Sequence, residues 1–278
     1  MRRKSVLKIS KKAPDYLTPL LNIAPATWAL IRANEIRALD RVKFKNPILD
    51  VGCGNGEVTK VILSRRKIKF DVGIDLSAKE IEFAKNSDCF KKCLVGDVYS
   101  LPFKKGTFAT VFSNSVIEHI PNLETALSEM SRVLKKNGQF VITVPSSYLT
   151  EYLLGYRILN QMGLKSLAEV YGKFFNSLFK HYNLFNHKKW EKILKKHSLK
   201  LVEHHYYHTK KMVVVHEFLA YLAIPYHITK FISGYWVVFP EFRKIFITPW
   251  LKKLLNPVYL ADVKTDEGGS LLLIAKKV

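Results

Sequence analysis

The chain has 278 residues, of which 48% are hydrophobic and 24% charged, a balance that excludes a globally disordered protein. Lys and Arg outnumber Asp and Glu by 45 to 23, so the net charge is +22. Such an excess indicates either solvated surface lysines or attraction to a polyanion: nucleic acid, an anionic membrane surface or a phosphorylated substrate. The basic residues are spread as doublets without an RNA-binding signature, so nucleic acid is the less favoured partner.

Three cysteines, Cys53, Cys89 and Cys93, are too few for a disulfide framework, which favours a reducing cytoplasm. Cys89 and Cys93 lack a second cysteine or histidine pair to complete a zinc site, so we expect no metal. The basic start Met1–Lys4 is not followed by an uninterrupted apolar stretch, and no secretory signal is predicted.

The predicted elements begin with an N-terminal helical cover, residues 1–46, in which Trp28–Val42 places apolar residues near one side of a helix. From residue 47 to residue 147, short apolar runs alternate with helical stretches. Five strands are predicted in this core, at Ile48–Val51, Phe70–Ile74, Cys93–Val95, Thr110–Ser113 and Gln139–Val144. The helices between them are predicted at Glu57–Arg65, Ser77–Asn86 and Leu123–Leu134.

Capping residues mark two of these helices. Ser77 is the predicted N-cap of the second, with Glu80 in the capping-box position. Asn137 and Gly138, which tolerate the left-handed conformation, are the predicted C-cap of the third.

Two further strands are predicted beyond the core, at Leu199–Tyr207 and Ser270–Ala275. The alternation implies a Rossmann-like, doubly wound α/β fold with a mostly parallel, seven-stranded sheet. We expect a single domain over residues 1–278, with a lid insertion at 148–195 and an apolar insertion at 210–267.

A glycine loop follows the first strand. Gly52, Gly54 and Gly56 allow the backbone to turn sharply and approach a ligand closely. Dinucleotide-binding enzymes carry such a loop in the same place, but the third glycine of their fingerprint falls on Glu57. Asp50 and Glu57 would each repel a pyrophosphate by about 1 kcal/mol or more at an effective dielectric constant of about 20. The loop therefore favours a positively charged cofactor.

Acidic residues also follow the next two strands. Asp75 stands roughly 20 residues beyond the loop, where a carboxylate accepts hydrogen bonds from ribose hydroxyls. Asp97 follows the third strand, where it can accept from an adenine amino group, and Tyr99–Phe103 is predicted to form an apolar wall for the ring. A lone Asp at a strand end is ordinarily a turn or cap residue. Two of them beside a glycine loop, at successive strand ends, favour a nucleoside site.

Four segments, in order, resemble the motifs of class I S-adenosylmethionine (SAM)-dependent methyltransferases of the methyltransferase-11 type. They read ILDVGCGNGEVT, VGIDLS, VGDVYSLPF and TVFSNSVIEHIPNLETALSEMSRVLKKNGQFVITVPS. The resemblance covers residues 30–147 and the final strands, and implies an enzyme with SAM as its cofactor.

The resemblance also implies a cofactor site. Its glycines would line the methionine end, Asp75 would bind the ribose, and Asn114 would face the sulfonium together with Ser115. The adenine would lie against Asp97 and Val98. The full implied set is Asp50, Gly52, Cys53, Gly54, Asn55, Gly56, Asp75, Leu76, Asp97, Val98, Asn114 and Ser115.

The catalytic residues are not fixed by the sequence. SAM carries an activated methyl group, so the protein mainly aligns the acceptor and excludes water, and a base is needed only for a hydroxyl or protonated nitrogen. His119 is the candidate base, although the Glu118-His119 pair also suits a structural role at a helix start. His181 and Tyr182, in the lid insertion, are candidates either for the acceptor pocket or for lid packing.

Phe218–Pro240 is unusually apolar and aromatic, with one charged residue, Lys230. Pro225 and Gly234 argue against a stable membrane span. Three interpretations remain: a buried helix pair of a substrate domain, an interfacial membrane anchor, or a dimer face. The anchor would make a cytoplasmic protein peripheral to the inner face of the membrane.

We therefore expect a SAM-dependent methyltransferase acting on a small or amphiphilic acceptor of the quinone, lipid or glycan-precursor class. The alternatives are a non-catalytic SAM-binding protein and, less favoured, an NAD-dependent oxidoreductase or an RNA methyltransferase. The sequence does not indicate an oligomeric state.

Overall fold

The computed structural model describes residues 14–278 apart from residues 234 and 235, so Met1–Lys4 lie outside the described residues. The strands of the described chain are β1 (Ile48–Val51), β2 (Phe70–Asp75), β3 (Phe90–Val95), β4 (Phe108–Asn114), β5 (Leu134–Pro145), β6 (Leu199–Tyr207) and β7 (Ser270–Lys277). They form one seven-stranded sheet in the order β3-β2-β1-β4-β5-β7-β6. The pairs from β3 to β5 are parallel and β7 runs antiparallel to β5, which confirms the predicted fold class.

The first helices are α1 (Leu17–Ile23), α2 (Ala26–Leu39), α3 (Glu57–Leu63), α4 (Ala78–Lys85) and α5 (Leu123–Val133), with a 3₁₀ turn at Ile117–His119. The lid insertion forms α6 (Tyr148–Tyr152), α7 (Leu154–Gln161), α8 (Lys165–Leu178) and α9 (His187–Lys196). The apolar insertion forms α10 (Lys210–Leu222), α11 (Ile224–Ser233), α12 (Pro240–Phe242) and α13 (Thr248–Tyr259), the last two joined by a π-helical turn at Arg243–Ile247.

The chain divides into two compact units. The sheet unit comprises residues 39–147, 173–205 and 270–278, and the helical unit comprises residues 148–172 and 206–269 with the described part of 1–38. The sheet unit thus contains the whole sheet except the last two residues of β6.

The core of the sheet unit follows from its apolar runs. All four residues of β1 are buried, as are the first six of β7, which is the pattern of strands covered on both faces. Phe44, Phe70 and Phe112 meet edge to face, with ring centroids 5.0–5.8 Å apart.

Two buried arginines hold helix ends within the helical unit. Arg243 donates to the carbonyl oxygens of Leu21 and Ala24, at the end of α1. Arg37 donates to the carbonyl oxygen of Tyr259, the last residue of α13. A cation at a helix C-terminus satisfies carbonyls that have no partner inside the helix and opposes the negative end of its dipole.

Several element ends differ from the prediction. The helix predicted at Trp28–Val42 is α2, which ends at Leu39. The Arg66 guanidinium donates hydrogen bonds to the carbonyl oxygens of Leu39 and Val42 there, at 2.8 and 2.6 Å. The third strand begins at Phe90 rather than at Cys93.

The predicted C-cap at Asn137 and Gly138 is wrong, because α5 ends at Val133 and β5 begins at the next residue. Phe108 pairs with Leu134 whereas Thr110 pairs with Gln139, so β5 bulges between these pairs. Asn137 has a φ of 59° within the bulge. The left-handed preference of the pair shapes a β-bulge and not a helix end.

Both insertions are helical in the structure. Among the described residues, no helix has both the length and the apolar character needed to cross a bilayer.

Candidate functional site

The glycine loop is held against the second strand. The N–H groups of Gly52 and Cys53 donate to the carbonyl oxygen of Ile74 at 2.8 and 3.1 Å. Gly52 has a φ of +75°, and a Cβ there would lie 2.5 Å from a methyl carbon of Val116. Only glycine permits this close approach between the loop and the segment that follows β4. The Asn55 side chain accepts from the N–H of Glu57, at the first residue of α3.

Asp75 ties the ends of three strands together. One carboxylate oxygen accepts from the N–H of Gly54 and the other from the N–H of Ser77, both at 2.9 Å. Its backbone carbonyl accepts from the N–H of Gly96, just after β3. The Ser77 hydroxyl accepts from the N–H of Glu80, which confirms the predicted N-cap. Asp75 therefore lies at the junction of the loops after β1, β2 and β3.

Asp50 lies beneath the loop, inside β1, and is buried. Its carboxyl group accepts a hydrogen bond from the Thr59 hydroxyl of α3 at 2.9 Å. Burial, together with the charge of Asp75, raises the pKa of Asp50 to about 7 despite that hydrogen bond. Burial likewise raises the pKa of the Cys53 thiol far above its ordinary range, so Cys53 is a neutral packing residue.

The next loop presents an acid and an apolar side chain to solvent. Asp97 is exposed, and its carboxylate accepts from the N–H of Tyr99. Leu76 is 74% exposed, and Val98, the neighbour of Asp97, is half-buried. The predicted apolar wall is wrong at Leu101, which is buried, whereas Phe103 is half-buried and packs against Phe108. Leu76 is an exposed apolar side chain beside these acids.

Thr143 of β5 positions the residues at the end of β4. Its hydroxyl donates to the Asn114 side-chain oxygen at 2.8 Å. Its backbone carbonyl accepts from the N–H of Ser115 at 3.0 Å, and Ser115 takes a φ of 51°. No sequence motif singles out Thr143, because its function depends on the pairing of β5 with β4.

The structure thus brings the residues of the implied cofactor site to one edge of the sheet. They follow β1, β2, β3 and β4, whose order β3-β2-β1-β4 makes β1 the point where the chain switches direction across the sheet. Open α/β sheets bind ligands at this position. A backbone cradle that a Cβ would fill, flanked by carboxylates, suits a cationic nucleoside such as SAM.

His119, His181 and Tyr182 also come together. The rings of His119 and His181 stack with centroids 5.5 Å apart. Nδ1 of His119 lies 3.2 Å from the carbonyl oxygen of Lys180, and the N–H of Tyr182 donates to the carbonyl oxygen of Glu118 at 2.7 Å. The first part of the segment after α8 is therefore bound to the 3₁₀ turn that follows β4.

Asn183 completes this attachment. It is buried, and its side-chain amide donates to the carbonyl oxygens of Ile117 and Ile120 at 2.9 and 2.7 Å. These partners are more than 60 residues away in the sequence, so no local pattern could have identified Asn183.

A cleft of about 360 Å³ opens beside His181, lined by Lys173, Asn176, Ser177, Lys180, His181 and Tyr182. Burial, and to a lesser extent His119, lowers the pKa of His181 to about 4, so its imidazole is neutral at neutral pH. Its Nδ1 is buried and finds no hydrogen-bond partner among the described residues. The cleft thus combines two lysines with a neutral ring nitrogen.

Comparison with known proteins finds a family match within the sheet unit. Residues 49–142 match the methyltransferase domain family, and this segment contains the glycine loop, Asp75, Asp97 and the residues that follow β4.

Two relatives illustrate the range of the match. An uncharacterised protein of Methanocaldococcus jannaschii is 35% identical over 113 residues, which are 41% of this chain and 42% of that protein. A ubiquinone biosynthesis O-methyltransferase of Pelagibacter ubique is 28% identical over 167 residues, 55% of this chain and 69% of that enzyme. The chain therefore spans less than half the length of the first relative.

The fold is shared more widely. A SAM-dependent methyltransferase of Thermotoga maritima superposes with a TM-score of 0.54 at 16% identity, over 91% of each chain. At this identity the similarity describes the fold alone.

Proposed function

We propose that this chain, whose residues 49–142 match the methyltransferase domain family, is a class I SAM-dependent methyltransferase that transfers the methyl group of SAM to a small or amphiphilic acceptor. The observation that carries the proposal is the glycine loop closed onto Asp75 at the switch point of the sheet, with the exposed carboxylate of Asp97 following the neighbouring strand. Carboxylates there favour a sulfonium nucleoside over a diphosphate.

The residues of the loop and strand ends would hold SAM, which supplies a methyl group activated by its sulfonium. The Gly52–Gly56 backbone would cradle the methionine end, and Asp75 would accept from the ribose hydroxyls. Leu76 would cover the adenine, with Asp97 and Val98 at its edge. Asn114, held by Thr143, would face the reacting side together with Ser115.

The acceptor would lie beside His119, His181 and Tyr182. A carbonyl oxygen can only accept, so the hydrogen bond to Lys180 places a proton on Nδ1 of His119 and leaves Nε2 as the proton acceptor. Nε2 lies 3.7 Å from the Glu118 carboxylate, which would stabilise the imidazolium once a hydroxyl acceptor has given up its proton. The segment held by Asn183 would exclude water from this side.

The acceptor class is proposed from chemistry and from the relatives. The Pelagibacter relative is named for ubiquinone biosynthesis, and ubiquinone is an amphiphilic quinone. The net charge of +22 and the apolar Phe218–Pro240 segment support a protein working in the cytoplasm, peripheral to an anionic inner membrane face. We therefore propose a quinone, lipid or glycan precursor as the acceptor.

SAM retention by purified protein tests the cofactor part. We expect Asp75→Ala to weaken SAM binding by roughly tenfold or more, because the ribose hydroxyls lose a charged acceptor. Asp71→Ala is the matched control: Asp71 also lies on β2 and accepts a backbone N–H, from Ile48, but stands near the opposite end of the strand. Equal SAM affinity in the parent and the Asp75→Ala variant would contradict the proposal.

Transfer of labelled methyl groups from SAM tests catalysis. We expect the label to appear in a cell lipid extract, and not in RNA, when the purified protein is added. Retention of SAM without labelled product in either fraction would indicate a non-catalytic SAM-binding protein. Thermal stabilisation by NADH but not by SAM would instead indicate an oxidoreductase.

A further inference from the structure

The hairpin of α7 and the start of α8 exposes a continuous apolar stripe. Leu154, Ile158 and Met162 follow one another at four-residue spacing on α7 and its end, and all three are exposed. The turn between the helices adds the exposed Leu164. A soluble helix ordinarily buries such a stripe.

At the beginning of α8, the buried residues and the exposed apolar residues lie on two different faces of the helix. Ala168 and Gly172, four residues apart, are buried, and a Cβ on Gly172 would lie 2.5 Å from a Thr150 methyl carbon of α6. Leu167 and Val170, three residues apart, form a separate exposed face, 53% and 62% accessible. The helix therefore has one apolar face for α6 and a second one with no partner among the described residues.

The stripe adjoins the exposed part of α10. Glu217 of α10 accepts from the N–H groups of Leu154 and Gly155, at the start of α7. Tyr171 of α8 bonds both Glu217 and the Tyr221 hydroxyl. Exposed apolar residues continue from there along the chain, at Phe218, Leu222, Ile228, Ile232, Phe239, Phe246, Trp250 and Leu254.

The charge around these apolar side chains identifies their partner. Residues 148–172 balance Arg157 and Lys165 against Glu151 and Glu169, whereas residues 210–254 hold seven Lys and Arg against two Glu, so the positive excess lies in the second segment. A second copy of the chain would bring the same positive excess against this face. An anionic bilayer would instead receive the apolar side chains at its acyl boundary and the basic ones among its head groups.

We propose that the α7–α8 hairpin, together with the exposed apolar residues named above between Phe218 and Leu254, is a docking surface for anionic lipid bilayers. It deepens the proposed function and rests on it only for the expectation that the acceptor dissolves in the same bilayer. The hairpin would lie in the plane of the interface, held in orientation by Glu217.

Co-sedimentation with vesicles tests the surface. The parent is mixed with vesicles of phosphatidylcholine alone and of phosphatidylcholine with phosphatidylglycerol, at low and high salt. We expect binding to the anionic vesicles and weakening by salt. Leu167→Gln/Val170→Gln should lower this binding by roughly tenfold or more, because it removes the exposed apolar face of α8 from the hairpin.

The matched control is Phe83→Gln/Val202→Gln, which makes the same kind of change at two exposed apolar residues of the sheet unit. It should leave vesicle binding unchanged, and both variants should retain SAM as the parent does. The proposal is overturned if the parent does not bind anionic vesicles at low salt, or if the two double variants bind them equally. It is also overturned if light scattering shows a dimer that Leu167→Gln/Val170→Gln dissociates. Loss of SAM retention with intact vesicle binding would instead reject the proposed function.

Discussion

Asp50 is a carboxyl group that folding removes from water. Its pKa rises from an ordinary 3.8 to about 7, chiefly through burial, because the hydrogen bond from Thr59 does not replace lost hydration. The protonated carboxyl stabilises the fold fully below pH 3.8, and this contribution is lost as the pH rises through 7.

Asp50→Asn should therefore change the pH dependence of stability. The amide keeps an oxygen for Thr59 but never ionises. We expect the free energy of unfolding of the variant to gain on that of the parent between pH 4 and pH 8, by about 4 kcal/mol at most. Urea unfolding across this range measures it, with Asp71→Asn as control. Parallel pH profiles for the parent and Asp50→Asn would contradict the raised pKa.

For His181, burial shifts the pKa downward, so the pH dependence of stability is opposite to that of Asp50. Burial lowers its pKa from 6.5 to about 4, so the unfolded chain takes up a proton before the folded chain does. The stability that this neutral ring provides is complete above pH 6.5 and is lost as the pH falls toward 4. His208 is also buried with a pKa lowered to about 4 and adds to the same loss.

His181→Phe isolates one of these two contributions. The variant should lose less stability than the parent between pH 7 and pH 4.5, by up to about 3 kcal/mol, because phenylalanine does not titrate. Denaturant midpoints at the two pH values measure this, and the difference between the proteins at pH 8 gives the pH-independent packing effect. The assignment fails if the variant and the parent lose equal stability on acidification.

At the scale of elements, the carboxylate of Glu217 fixes the start of α7. It is buried in α10 and accepts from two N–H groups that have no partner inside α7, so a negative charge lies at the positive end of that helix. The Tyr171 hydroxyl is a third donor, and burial together with this bond raises its pKa.

Glu217→Gln should destabilise the protein by about 2–3 kcal/mol. The amide loses the charge that strengthens these hydrogen bonds and turns an NH2 group toward donors. Glu241→Gln, at an exposed residue, makes the same chemical change and should alter the free energy of unfolding by less than about 0.5 kcal/mol. Equal stability of the two variants would show that Glu217 contributes nothing beyond packing.

The sheet and its loops were predictable because each carries its own signal. β1 is a buried apolar run that ends in glycines, and β6 was predicted at its observed bounds, Leu199–Tyr207. Ser77 caps α4 by accepting from the N–H of Glu80, three residues away, so its function can be predicted from the neighbouring sequence. The parallel direction of β1 to β5 follows from the alternation of strands and helices, because parallel strands need helical crossovers.

The helices of the insertions were not predictable in the same way. Leu154, Ile158 and Met162, on α7 and at its end, recur at helical spacing, but they are exposed in the structure, and a sequence pattern does not indicate whether an apolar face is covered. Asn183 and Glu217 serve the structure through partners 46 to 66 residues away, which no window of neighbouring residues contains. Asn137 has the positive φ that asparagine tolerates. It lies in a β-bulge and not at a helix end, because β5 begins directly after α5.

At the scale of the whole molecule, charge is the dominant feature. With 45 basic and 23 acidic side chains, one-to-one pairing would still leave 22 positive charges uncompensated. Self-repulsion of this kind keeps a protein soluble but opposes its compact state, and salt screens it over about 10 Å at 0.1 M. The folded chain should therefore gain stability when salt is added.

We expect the thermal midpoint to rise by several degrees between about 50 mM and about 500 mM NaCl, as this repulsion is screened. Lys67→Glu/Lys79→Glu/Lys104→Glu changes three exposed side chains of the sheet unit, and since each replacement removes two positive charges the net charge falls from +22 to +16. The salt-dependent rise should be smaller in this variant, and smaller still once anionic vesicles neutralise the helical unit. Identical salt dependence in the parent and the variant would mean that local ion pairs, and not the overall charge, govern the response.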